Sequence, residues 1–232
     1  MIRSRNAYSD QVLDEVIRIY VTVDETGNLG LNLPGEREYV IAGCVVMDRE
    51  KFMEVSYRES LNKGREIKFN TDPELREKIL RDSEPYVYGV YYVRYHKDKG
   101  RHNLLTGGIT TEERHDIHLA MMRALANAIF TDYGGEIHID IDANSLVREY
   151  EAIKSFEGSP KADGYKVDAR VSNSKLNMGL QTNDFYVGSI GHMVNGPTSN
   201  AQEVRESNRY VDIFRKKLKR VFLKDDDWEG LR

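Results

Sequence analysis

The chain has 232 residues, 40% hydrophobic and 31% charged, with a formal net charge of −4; this is the composition of an ordinary globular protein and excludes disordered and collagen-like classes. One cysteine, Cys44, excludes an intrachain disulfide and points to a reducing compartment. No run of ~18 consecutive apolar residues and no signal-type N-terminus occurs, so the expected setting is the cytoplasm with no membrane partner. The negative charge gives no global pull on nucleic acid, which would need a local basic patch or bound cations.

In chain order, residues 1–16 read as a short helix or lead-in. Ile17, Tyr20, Val21 and Val23 then form a first strand, closed by the turn chemistry of Thr26, Gly27 and Asn28. Asn28 to Arg37 is a connecting loop, and Glu38 to Met47 is nearly continuous in apolar character, as a central strand paired in a hairpin with the first would be. Asp48 is placed to cap a helix over 49–62 that Gly64 ends. Arg65 to Asn70 alternates, so Glu66 and Lys68 share one face if extended. Asp72 and Pro73 match an N-cap and first helical residue of a helix to about Arg81.

Tyr86 to Tyr95 reads as a third strand and Lys97 to Thr111 as a loop. From about 112 to 131, Ile117, Ala120, Met121, Ala124, Leu125, Ala128 and Ile129 repeat at three and four, the stripe of a helix. Glu136 to Asp142 alternates strictly: Ile137, Ile139 and Ile141 share one face of a strand, His138, Asp140 and Asp142 the other. A helix over 145–156 and a short strand over 165–171 follow. A helix from 178 to 194 carries Gln181, Asp184, Gly188 and Gly191 three or four apart, and its glycines imply close approach to the sheet. A last helix is predicted from about 201 to 223, with the stripe Val211, Phe214, Leu218 and Val221.

Two acids, Asp24 and Glu25, close the first strand, two more, Asp140 and Asp142, lie on the fourth, and Asp184 sits on a late helix. An antiparallel hairpin continued by a parallel strand beside the first would bring Asp24 and Asp142 to neighbouring strand ends, with Asp184 swung over them. Two carboxylates ~4 Å apart repel by about 4 kcal/mol at an effective dielectric near 20, so such a cluster calls for a cation. Oxygen-only ligands suit Mg²⁺ or Mn²⁺, and a pair of such ions supports in-line phosphodiester hydrolysis. Asp24, Asp142 and Asp184 are the expected ligands, with Asp140, Glu25 or Glu66 as the fourth. Period-two geometry leaves Asp140 and Asp142 on one face; Asp142, nearer the strand end, is preferred.

Asp24-Glu25-Thr26-Gly27 and Gly179-Leu180-Gln181-Thr182-Asn183-Asp184 resemble the paired signatures of an uncharacterised family of ribonuclease H-like domains, Asp-Glu-Ser-Gly after the first strand and Gly-Leu-Gln-x-Ala-Asp late in the chain. The chain departs from these at Thr26, which keeps the hydroxyl, and at Asn183, where a small apolar residue is usual. The likeness runs from about Ile17 to Met193 and takes in Glu66-Ile67-Lys68. It implies an α/β, ribonuclease H-like domain over 1–232: a mixed five-stranded sheet of three antiparallel strands followed by parallel ones, flanked by helices. A helical insertion falls at about 48–82 and the C-terminal helix at about 201–223. It also implies a metal-dependent nuclease acting on RNA or DNA. The contrasting reading is a catalytically silent interaction module of that fold; a homodimer is a further partner expectation.

Other signals have plainer readings. His115 and His118 have near-zinc spacing but no third ligand in the sequence, so a solvated polar face is expected. His138 is either a site contact or a satisfied buried histidine. No Gly-x-Ser-x-Gly elbow or phosphate-cradling glycine loop occurs, which argues against serine hydrolase and nucleotide-triphosphate chemistry. The run Arg215 to Arg220 is either a solvated helix face or a grip on phosphates, and Tyr86, Tyr88, Tyr91, Tyr92 and Tyr95 are either core or stacking platforms.

Overall fold

The structure, a computed structural model, describes residues 18–27, 29, 38–96, 110–143, 147–159, 162, 164–195 and 201–228. The lead-in at 1–16 and most of the loops expected at 28–37 and 97–111 lie outside the described residues. Among the described residues six strands form one sheet: β1 (Arg18–Thr26), β2 (Glu38–Val46), β3 (Val87–His96), β4 (Glu136–Asp142), β5 (Lys166–Ser172) and β6 (Leu218–Val221). Their order is β5-β4-β1-β2-β3-β6, with β1, β2 and β3 antiparallel, β4 and β5 parallel to β1, and β6 parallel to β3. Five strands follow the expected layout and the sixth corrects the count. The predicted C-terminal helix ends early, as α6 (Ala201–Phe214), because Leu218 to Val221 pair with Val90 to Val93 at the sheet edge. The basic run at 215–220 therefore spans a 3₁₀ turn and a strand, not a helix face.

Side-chain alternation divides the core between two faces. Ile19, Val21 and Val23 of β1 and Ile137, Ile139 and Ile141 of β4 meet α3 (Thr111–Asp132) and α4 (Glu149–Glu157). Tyr20 of β1 and Val40, Ala42 and Cys44 of β2 face α5 (Met178–Asn195), around which α1 (Arg49–Lys63), α2 (Arg76–Ser83) and α6 gather. The same alternation turns Thr22 and Asp24, and on β4 Asp140 and Asp142, toward the α5 side. Among the described residues no helix is long and apolar enough to cross a membrane.

Helix α5 lies close on β1, as its small residues suggested. A Cβ at Gly179 would come within 2.6 Å of the Tyr20 hydroxyl, and one at Gly191 within 2.5 Å of Thr26 Cγ2. Gly188 meets Phe69 in place of the sheet, where a Cβ would stand 2.4 Å from the ring. Overpacking of this kind costs about 1–3 kcal/mol. Gly188→Ala is accordingly expected to lower the unfolding free energy from an equilibrium urea titration by up to that amount, less the ~0.5–1 kcal/mol that alanine gains within a helix, whereas a raised stability would mean that Phe69 has room to move aside.

Two smaller expectations are corrected and one open reading is decided. His118 is buried, not solvated: its Nδ1 lies 2.8 Å from the Tyr39 hydroxyl, and burial depresses the imidazole pKa to about 3, so it stays neutral. His138 is half-exposed and pairs with Asp168 at 2.9 Å. Of the tyrosines, Tyr91 and Tyr92 are core and Tyr88 is exposed.

Candidate active site

The first acid is delivered by β1. Parallel pairing sets Thr22 against Asp140 and Val23 against Ile141, so one step further Asp24 and Asp142 stand abreast at adjacent strand ends. That edge of a parallel sheet is where α/β sites are usually built. Gly27 follows with φ 92°, and a Cβ there would meet the Glu38 carbonyl at 2.8 Å, so the turn closing β1 is suited to glycine. Asn183 donates to the Thr22 carbonyl at 3.2 Å, fixing α5 over β1 one residue before Asp184. The polar residue at this position, where the related signature has a small apolar one, thus has a structural task.

Helix α5 also holds the segment after α1. Asp184 Oδ2 accepts the Phe69 N–H at 2.7 Å and Gln181 Oε1 accepts the Ile67 N–H at 3.4 Å, while Gln181 Nε2 donates to the Ser174 carbonyl at 2.9 Å. Asp72, expected as a helix N-cap, caps no helix with its side chain. Fully buried, its carboxylate turns back to take Arg65 in a two-pronged pair at 2.6 and 3.1 Å and the Lys68 N–H at 2.9 Å. The segment is thereby rigid, and it presents Glu66 and Lys68 beside Asp184. Ser174 completes the wall: its hydroxyl donates to Glu66 at 2.9 Å and its N–H to Asp142 at 3.1 Å.

The electrostatics follow from this convergence. Asp24 is 7% exposed, and burial, then the charges of Glu25, Asp184 and Asp142, push its carboxyl well above the ordinary range; the Glu25 N–H at 2.7 Å opposes this. Burial is also the main cause that raises Asp184 and Asp142, each with a further push from Glu66 and a pull downward from Lys68. Lys68 is raised: partial burial lowers it, but Glu66, Asp184 and Asp142 outweigh that. These groups therefore act on one another, although among the described residues no three His, Cys, Asp or Glu side chains stand close enough to hold a metal ion. The two observations differ in range. Charge coupling extends beyond ligating distance, so the acids lie within electrostatic range of one another without converging to ligating distance.

Asp140 is separated from this group by its partners. Almost fully buried, it accepts the Tyr20 hydroxyl at 2.6 Å, Asn177 Nδ2 at 2.7 Å and the Arg170 guanidinium, with Arg49 at 3.9 Å. Burial alone would raise its pKa, but these donors hold it below the ordinary range. Its lone pairs are committed to holding β1, β4, β5 and the segment before α5 together, which leaves Asp142 as the β4 acid facing Asp24 and Asp184. Of the residues around the acids, Glu66 is legible in the sequence and the face it shares with Lys68 is the one signal for the lysine; Ser174, in a loop without a motif, gives none.

The donor set has the chemistry that suits a hard divalent cation, being all oxygen and disfavoured by its own repulsion, though not its spacing. No protein-family model matches the sequence, and no curated protein matches it. Among solved structures, a chain in "Structure of the PCNA:RNase HII complex from Archaeoglobus fulgidus" is similar at 12% identity with a TM-score of 0.42, covering 84% of this chain and 88% of that one.

Proposed function

We propose that this chain is a metal-dependent nuclease of ribonuclease H-like type, hydrolysing phosphodiester bonds of nucleic acid. The observation that carries the reading is that strand register and the placement of α5 bring Asp24, Asp142 and Asp184, from three separate elements, to one sheet edge, where the charges of Asp142 and Asp184 act on Asp24 and that of Asp142 on Asp184. Asp24, Asp142 and Asp184 would hold Mg²⁺ or Mn²⁺, with Glu66 or Glu25 as a fourth oxygen donor. Such ions supply a water activated at neutral pH and charge neutralisation on the phosphate.

The chain's own part is orientation. The Phe69 N–H fixes one oxygen of Asp184, the Ser174 and Ala143 N–H groups orient Asp142, and the Ser174 hydroxyl steadies Glu66. Burial of Asp24 keeps bulk water from screening the site. The test is cleavage of RNA, single-stranded DNA and an RNA–DNA hybrid with Mg²⁺ or Mn²⁺. At least one substrate is expected to be cut, with the activity lost in Asp24→Asn and on chelation. Binding without cleavage would favour a silent interaction module, and cleavage retained in Asp24→Asn would place the chemistry elsewhere.

A further inference from the structure

We propose that Lys68 is the substrate contact of this site, the cation that takes a non-bridging phosphate oxygen of the bound strand. Its substrate class rests on the nuclease reading. Three consecutive backbone N–H groups fix the segment that carries it: Ile67 to Gln181, Lys68 to buried Asp72 and Phe69 to Asp184. The side chain leaves this rigid base half-exposed, with Nζ 3.4 Å from Glu66 Oε1. It stands at the rim, with solvent on one side and the acids on the other. Its charge acts on both Asp142 and Asp184.

A polyanion nearing four carboxylates on a chain of net charge −4 meets repulsion unless a cation stands where it enters. Lys68 has the geometry for that place, and an ammonium on a flexible stem suits a phosphate oxygen as a point charge. Its present partner does not restrain it strongly. The lysine end of the ion pair is half in solvent, and Glu66, itself mostly buried, keeps the Ser174 hydroxyl at 2.9 Å when the ammonium swings away.

The test compares wild type, Lys68→Met and Lys68→Arg in binding a short fluorescein-labelled single-stranded phosphorothioate DNA in Mn²⁺ across a salt series. Lys68→Met is expected to weaken binding about tenfold and to reduce the slope of log K against log salt by about 0.7, the share of one phosphate contact on a single strand. Lys68→Arg should restore most of the affinity. Mn²⁺ binding by Lys68→Met should equal or exceed that of wild type, since a neighbouring positive charge is gone. An unchanged slope would overturn the assignment, as would loss of Mn²⁺ binding in Lys68→Met, which would make the lysine a support of the pocket only. Cleavage of the unmodified oligonucleotide reports separately on the nuclease reading. If wild type binds the probe but cuts none of unmodified RNA, single-stranded DNA and hybrid, that reading falls while Lys68 is still decided by the slope. If wild type does not bind the probe, the Lys68 assignment falls, whatever is found for hydrolysis of bis(p-nitrophenyl) phosphate.

Discussion

Replacing Asp24 by asparagine is expected to make the metal-free protein more stable, by about 1–2 kcal/mol, the scale of relieving an inadequately compensated buried group. For a chain of this size that is roughly 2–8 °C in Tm. The amide keeps an oxygen to accept the Glu25 N–H and has the shape of the acid, so what is removed is charge that burial and three neighbouring acids disfavour. The pH dependence follows from the direction of the shift. The folded-state pKa of Asp24 lies above the ordinary carboxylate value, so between the two the folded chain holds a proton the unfolded chain has lost, and stability falls as pH rises through that window. Asp142 and Asp184 act in the same direction. His118 acts oppositely, since its depressed pKa removes stability as pH falls below the ordinary imidazole value. Comparing the variant with wild type at each pH cancels His118. The gain in Tm from Asp24→Asn, measured by calorimetry in chelator, should therefore be larger at pH 7.5 than at pH 5. An equal or smaller gain at the higher pH would mean that Asp24 is not held against its charge.

The two acids of β4 should respond in contrary ways. Asp140→Ala leaves the Tyr20 hydroxyl and Asn177 Nδ2 without their buried acceptor and takes the counter-charge from Arg170. At about 1–3 kcal/mol for each buried group left unsatisfied, discounted because Arg170 reaches solvent, the expected cost is about 2–4 kcal/mol. That corresponds to roughly 4–16 °C in Tm. Asp142→Asn gives up only acceptor strength toward two backbone N–H groups and loses a disfavoured charge, so its Tm in chelator should match or exceed that of wild type. Thermal unfolding of the two variants side by side decides the matter. Comparable losses in both would mean that Asp142 is as much a structural acid as Asp140.

That pair also marks where the sequence stops being legible. Strict alternation in Glu136 to Asp142 was enough to find β4 and to put both aspartates on one face, but local pattern cannot separate residues two apart. The separation is made by Tyr20, Arg170 and Asn177, brought in from other strands and a loop. Asp24 and Asp184 were visible because turn chemistry and the Gln181-to-Asp184 spacing are local, and the α5 glycines were visible as small residues in a helical stripe. Their partners were not: Gly188 meets Phe69, a residue from the insertion, where the sheet was expected. The misread end of α6 has a similar cause. Val211, Phe214, Leu218 and Val221 have helical spacing, but the last two belong to a segment for which the open edge of β3 offers backbone partners, and pairing there overrides the local pattern. His118 was read as solvated because it is polar, and the Tyr39 hydroxyl that satisfies it in the core comes from β2.

The claim on which the rest depends is that acids from β1, β4 and α5 form one divalent-cation pocket. Calorimetric titration with Mn²⁺ tests it most directly, with Asp24→Asn and Asp184→Asn beside wild type and the exposed Asp168→Asn as control. Wild type and the control should bind with the same affinity, and each pocket variant should lose most or all of the binding heat. Unchanged affinity in both Asp24→Asn and Asp184→Asn would contradict the account.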